Sequence, residues 1–252
     1  VTFHDLFSQI EVDIIQDEFE LGLKSEQANY PDGELPRHFT GLGSETPFFR
    51  SLPEDPRFLE AAGQMFGNDV VSVGSNGQRF TTDKTRWHPD LIKGTSETKN
   101  NHIEGVKFAC YLEPLGLNNG SLRLIPGSHL SPFHDELFAI GLKGNDSEFL
   151  KGTGQSVGDI PAYVWTSHPT DVIAFNNRTW HASWGGSGDR RQINVMYYKN
   201  PHDVREEGLA YEISRQEKIL RIDDDRRGLM YPYSWLANPD NDPKRQHWID
   251  WL

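Results

Sequence analysis

Residues 106–128 read VKFACYLEPLGLNNGSLRLIPGS, two short apolar runs divided by a turn, and this alternation decides the fold class. Val106–Leu112 and Ser121–Ile125 are of strand length. Asn118-Asn119-Gly120 between them supplies turn chemistry, and Pro126-Gly127-Ser128 closes the second run. Outward in both directions the pattern repeats at Val70–Val73, Gln78–Trp87, Asp171–Phe175 and Ile193–Tyr198, with Gly185-Gly186-Ser187-Gly188 before the last. Many short strands with Gly and Pro punctuation predict a mainly β fold. A double-stranded β-helix (jelly roll, cupin-like) over about residues 70–200 is expected rather than a parallel βαβ sheet.

Flanking elements complete one expected domain over residues 1–252. From Asp5 to Leu23 the apolar residues Leu6, Ile10, Ile14 and Leu21, with Phe7 and Phe19 beside them, recur at helical spacing. A second helix is predicted at Pro56–Phe66, ended by Gly67. Residues 25–52 and the loop Gly141–Tyr163 are rich in Gly and turn residues and are candidate lids. Beyond Asn200 the chain turns charged, with a peripheral helix expected at Glu206–Ile222. Trp235, Trp248 and Trp251 in the tail are expected to pack on the domain.

The composition excludes several function classes. Lys and Arg number 25 against 37 Asp and Glu, a formal net charge of −12 that repels polyanions, so nucleic acid is not an expected partner. One cysteine, Cys110, rules out an intrachain disulfide and any cysteine-built zinc site, and its apolar surroundings predict an inert buried thiol. No run approaches the ~18 apolar residues of a membrane span, and no charged-then-apolar leader opens the sequence. A cytoplasmic protein acting on a small-molecule substrate is expected.

Three residues carry candidate chemistry. In Thr85-Arg86-Trp87-His88-Pro89-Asp90, a His and a carboxylate two apart at a strand end face the same side and reach one ion. Pro89 between them offers no N–H to a ladder, which fits a strand end. The second part is Asn177-Arg178-Thr179-Trp180-His181, where His181 follows a strand and precedes a Gly-rich turn. Two imidazoles and one carboxylate on one face leave octahedral positions open, the arrangement that suits iron(II) oxygenases. His88, Asp90 and His181 are therefore the candidate catalytic metal ligands. Arg190 and Arg191 open the next strand, and a guanidinium there can hold a carboxylate bidentately. Alternation groups Arg190 with Gln192 and Asn194, and Arg191 with Ile193, Val195 and Tyr197, which favours Arg190 as the inward cosubstrate anchor.

Asn118-Asn119-Gly120-Ser121-Leu122-Arg123-Leu124-Ile125-Pro126-Gly127-Ser128-His129, with His88-Pro89-Asp90 upstream and His181 and Arg190 downstream, resembles the phytanoyl-CoA dioxygenase family over about residues 70–198. The resemblance implies a jelly roll, iron(II), 2-oxoglutarate and dioxygen, and a hydroxylation or related oxidation. It also implies a structural rather than ligating His129. Asp90 stands where related halogenases have a small residue, which argues against halogenation. Ser121 departs from the family's usual Cys. Lys107, Ala109 and Tyr111 share one strand face, and Tyr111 and Lys107 are further candidates to touch 2-oxoglutarate. Two other readings stay open: a cupin-like zinc or manganese hydrolase or isomerase on the same ligands, and a non-catalytic binding module of the same fold.

Overall fold

The computed structural model describes residues 1–25, 28–29, 38–41, 43–67, 69–90, 104–143, 148–186, 188–199 and 233–250. The strands are β1 (Thr2–Phe3), β2 (Ala28–Asn29), β3 (His38–Thr40), β4 (Val70–Phe80), β5 (Thr85–His88), β6 (Gly105–Tyr111), β7 (Leu122–Leu124), β8 (Tyr163–Val164), β9 (Val172–Asn176), β10 (His181–Ser183) and β11 (Arg190–Lys199). The helices are α1 (Gln9–Gly22), α2 (Pro47–Ser51), α3 (Pro56–Phe66), α4 (Phe133–Ala139), α5 (Glu148–Thr153), α6 (Tyr233–Leu236) and α7 (Pro243–Ile249). The chain forms two compact units. Unit 1 comprises Val1–Ser8, Arg79–Leu91 and Ala109–Gln192; unit 2 comprises Gln9–Gln78, Ile92–Phe108 and Ile193–Leu252.

Unit 1 contains a four-stranded sheet in the order β5-β10-β7-β8, antiparallel throughout. It also contains strands in the order β1-β9-β6-β11. One of its cores gathers Ala109, Tyr111, Leu115, Leu122, Leu124, Trp165, Ile173 and Phe175. A second lies around Trp87, Leu142, Leu150, Val157, Trp180 and Ala182. The alternation of β7 explains both: Leu122 and Leu124 enter the first core, while Arg123 bonds the carbonyls of Leu117 and Gly158. The second core anchors parts of the 141–163 segment, a candidate lid in the sequence. Leu142, Leu150 and Val157 are buried, and the Trp87 indole donates to the Val157 carbonyl at 3.1 Å.

The edge strand β1 pairs with β9, Thr2 facing Ile173 and Phe3 facing Val172. Asp171 fastens this corner by accepting from the backbone N–H groups of Asp5 and His168, at 3.2 and 3.0 Å, and from the His4 ring. Burial pushes its carboxyl upward, but those hydrogen bonds and the His4 ring prevail and hold it below the usual value. Such a group contributes stability that is present above the unfolded pKa of about 3.9 and is lost as pH falls through the lower folded value. Asp171→Asn should therefore destabilise the protein at neutral pH and flatten the loss of stability below about pH 4. Urea unfolding at stepped pH measures this, and a parental slope in the variant would refute the assignment.

Unit 2 contains strands in the order β6-β11-β4-β3-β2. Phe39 on β3 anchors its helices, its ring lying 5.3 Å from Phe19 of α1 and 5.2 Å from Phe49 of α2. A Cβ at Gly22 or Gly77 would sit 2.3 or 2.2 Å from that ring, so both positions need glycine. Glu18 of α1 accepts from the N–H groups of Phe48 and Phe49, capping the first turn of α2. The face of α1 corrects the sequence reading: Val12, Ile15 and Phe19 are buried, whereas Ile10, Ile14 and Leu21 are exposed. The α3 helix has the bounds expected, with Asp55 as its N-cap and Gly67 at φ 88° as its stop. In the tail, Trp235 and Trp248 pack with Val71, and Trp248 donates to the Val70 carbonyl at 3.0 Å. Trp251 and the helix expected at Glu206–Ile222 lie outside the described residues.

Two strand boundaries moved. β4 runs unbroken through Gly74 and Gly77, and the interruption falls at 81–84 instead of 74–77. The residues around His181 form a strand of their own, β10, which is buried throughout.

Candidate active site

The central strand β10 lies between β5 and β7, with His181 directly opposite His88 on one side and Leu124 on the other. The two imidazole centroids are 4.4 Å apart. Asp90 follows β5, and its N–H donates to the Asn177 carbonyl at 2.8 Å, which ties it to the turn preceding His181. Its carboxylate reaches both rings: Oδ1 is 3.6 Å from His88 Nε2 and Oδ2 is 3.6 Å from His181 Nε2. Donor atoms of all three residues lie within 4.8 Å of one another, forming a set able to hold a metal ion.

Each histidine is oriented by the backbone two residues before it. His88 Nδ1 is 2.7 Å from the Arg86 carbonyl, and His181 Nδ1 is 2.9 Å from the Thr179 carbonyl. A carbonyl only accepts, so both rings carry a proton on Nδ1, and Nε2 is the ring nitrogen that lies beside Asp90. With both imidazoles neutral, two Nε2 lone pairs and the carboxylate converge, an arrangement that a cation among them stabilises. The donor set thus fits a divalent metal, and each ring has the outer hydrogen bond that metal-binding histidines characteristically make.

Ser128 in the Pro126-Gly127-Ser128 turn supports this arrangement. Its buried hydroxyl accepts from the Trp180 N–H at 2.9 Å, and Trp180 returns its carbonyl to the Ile125 N–H. Ser121 donates to the Gly116 carbonyl, a bond a thiol makes poorly. The Phe175 ring stands 5.1 Å from His181.

Arg190 is 3% exposed. Its Nη1 donates to the Gly120 carbonyl at 2.6 Å and its Nη2 to the Thr82 carbonyl at 2.9 Å, while its buried Nε has no partner. Among the described residues no carboxylate forms an ion pair with it, and burial lowers its pKa. The guanidinium lies 5.3 Å from the centre of the Phe80 ring. A Cβ on Gly120 would meet Arg190 Cδ at 2.4 Å, and one on Gly186 would meet Nε at 2.7 Å. Both glycines read in the sequence only as turn residues; their second task is to leave room for this side chain. Arg191 is engaged elsewhere, its Nε 2.6 Å from Glu113 Oε1.

Tyr111 lies in the same core as Phe80 and Trp165, with ring separations of 6.5 and 6.2 Å, and burial pushes its hydroxyl up to about 12. Trp165 escaped the sequence reading because an isolated Trp beside a two-residue strand carries no periodic signal. Lys107 belongs to unit 2, where its charge acts on His38. Cys110 is buried, as expected, and its thiol donates to the Pro169 carbonyl at 3.2 Å.

A family model described as phytanoyl-CoA dioxygenase (PhyH) matches residues 3–193. The chain belongs to the phytanoyl-CoA dioxygenase family. It is accordingly a dioxygenase of the non-haem iron and 2-oxoglutarate class, with the jelly-roll fold of that family. Solved structures agree on the fold. HygX from Streptomyces hygroscopicus, with nickel and 2-oxoglutarate bound, is 21% identical at TM-score 0.58, covering 79% of this chain and 81% of its own. EctD from S. alaskensis with bound Fe is 21% identical at TM-score 0.59, covering 79% and 72%. AviO1 from Streptomyces viridochromogenes is 19% identical at TM-score 0.54, covering 80% and 90%. No curated protein sequence matches the chain. No described helix is long and apolar enough to cross a membrane.

Proposed function

We propose that His88, Asp90 and His181 hold iron(II), that Arg190 anchors the distal carboxylate of 2-oxoglutarate, and that the enzyme oxidises an unactivated C–H bond of a small metabolite. The observation that carries this reading is the convergence of two Nε2 lone pairs and one carboxylate, within 4.8 Å, in a member of this family. Support comes from the metal and cosubstrate held by HygX and EctD.

Bound iron(II) and 2-oxoglutarate supply the oxidising chemistry: for a hydroxylation, substrate, dioxygen and 2-oxoglutarate give hydroxylated substrate, succinate and carbon dioxide. The chain's own residues bind, orient and exclude water. The Arg86 and Thr179 carbonyls fix each imidazole as the Nδ1–H tautomer, leaving Nε2 to ligate without losing a proton. Asp90 supplies the one negative charge of the ligand set, and two neutral imidazoles complete it. Arg190, desolvated and bonded only to neutral carbonyls, offers a cation to an anion arriving from solution. Phe80, Tyr111, Trp165 and Phe175 keep the surrounding core apolar, which strengthens that attraction. Tyr111 remains a candidate contact for 2-oxoglutarate through its neighbour Arg190. A hydrolase on the same ligands has no use for a buried, carboxylate-free guanidinium.

Anaerobic addition of iron(II) and 2-oxoglutarate should produce a weak visible charge-transfer band that neither produces alone. Admission of air should then release succinate. No band, with no succinate, would remove the proposal.

A further inference from the structure

Phe175 packs directly against His181, one of the three proposed metal ligands, and both belong to unit 1. Ile173 and Phe175 project from β9 on the face that joins Leu122 and Leu124 in one apolar core. Leu124 is the register partner of His181 on β10. The Phe175 ring meets that pair, its centre 5.1 Å from the imidazole centre and its plane tilted by 60°. Strand β9 is paired along its edge with β1, and the Ala174 N–H donates to the Val1 carbonyl at 2.8 Å. The ring therefore stands on a hydrogen-bonded strand and not on a loop, which fixes its position beside the histidine.

The other aromatic rings of this core are placed differently. Tyr111 and Trp165 contact each other at 6.2 Å and are 2% and 1% exposed, whereas Phe175 is 8% exposed. Of the three it is the least enclosed. An oxidant able to attack an unactivated C–H bond reacts with a carbon held close to it when no substrate fills the site. An aromatic ring accepts oxygen at a carbon and then gives up the hydrogen of that carbon, so no strong C–H bond has to break first.

We propose that Phe175 is a self-modification site: in turnover without substrate, the enzyme hydroxylates the ring packed against His181. This activity deepens the dioxygenase reading and rests on it for the oxidant. One ring C–H bond is replaced by a C–O bond, and one atom of dioxygen becomes the phenol oxygen. The other atom enters succinate as 2-oxoglutarate loses carbon dioxide. Dioxygen takes up four electrons, two from 2-oxoglutarate and two from the ring, and the ring hydrogen ends on the phenol. No further reductant is consumed. The product carries a hydroxyl at the edge of an apolar core, a covalent mark left on every chain that has fired without substrate.

The test incubates the full-length protein in air with iron(II), 2-oxoglutarate and catalase, without substrate, and maps its tryptic peptides by mass spectrometry. The peptide of residues 152–178 contains Tyr163, Trp165 and Phe175, and its fragments separate the three. It should gain one oxygen atom, located at Phe175 and drawn from isotopically labelled dioxygen. The gain should require both iron(II) and 2-oxoglutarate, and it should be lost in Asp90→Ala and in Phe175→Leu. Fragmentation of the parent peptide decides the site without either variant. Succinate release with no oxygen at Phe175, oxygen on Tyr163 or Trp165 in its place, or a gain that persists without 2-oxoglutarate would overturn the proposal. If neither succinate nor added oxygen appears, the dioxygenase assignment itself falls and takes this site with it.

Discussion

Asp90→Ala should abolish metal-dependent succinate release, by on the order of a thousandfold, without unfolding the protein. Asp90 is the informative member of the proposed ligand set because it is partly exposed and supplies the set's one carboxylate. Its loss leaves two neutral imidazoles to hold a divalent cation, and affinity should fall beyond what cellular iron can saturate. Without metal the substitution should be nearly neutral for stability, because it removes a carboxylate that faces two nitrogen lone pairs 3.6 Å away. The contrast appears in thermal unfolding. Cobalt or nickel at a hundredfold excess over its dissociation constant should stabilise the parent by about 2.7 kcal/mol and leave the variant unmoved. His181→Ala should lose activity too, but it is 4% exposed beside Phe175 and its removal also opens a cavity. If Asp90→Ala binds metal and turns over like the parent, the three residues are not a metal site.

What the sequence made legible follows the range of the forces involved. The α3 boundaries were readable because Asp55, Pro56 and Gly67 act on their own backbone. The clustering of His88, Asp90 and His181 was readable because His88 and Asp90 share a strand end, and because His181 stands beside a turn. The burial of Arg190, as distinct from Arg191 with its bond to Glu113, was readable because Ile193, Val195 and Tyr197 are buried apolar residues of the other parity. Non-local causes stayed hidden. Ile10, Ile14 and Leu21 are as helical in spacing as Val12, Ile15 and Phe19, and only the Phe39 ring and the Glu18 cap decide which stripe turns inward. Gly77 read as an interruption because the ring that fills its space comes from residue 39. Strand β10, at three residues, is too short for any period to register.

Arg190→Leu should raise the KM for 2-oxoglutarate by about a hundredfold while changing kcat much less. A charge-assisted hydrogen bond is worth about 1.5–3 kcal/mol, and a fork that makes two of them in a water-poor core lies at the upper end. The substitution also removes a buried cation that forms no ion pair with a carboxylate among the described residues, which offsets part of the cost of losing its bonds to the Gly120 and Thr82 carbonyls. Arg190→Lys should recover part of the affinity, since an ammonium keeps the charge but not the planar fork. Gly120→Ala should fall between parent and Arg190→Leu, because its new methyl meets Cδ at 2.4 Å and displaces the guanidinium without discharging it. Arg191→Gln should stay within about threefold, since its partner is the half-exposed Glu113. The decisive comparison uses 2-oxovalerate, which lacks the distal carboxylate. The parent should prefer 2-oxoglutarate to it by about the factor that Arg190→Leu loses, and in Arg190→Leu the preference should vanish. If that preference survives the loss of Arg190, another cation holds the cosubstrate, and the buried guanidinium serves only to bind together the Gly120 and Thr82 turns.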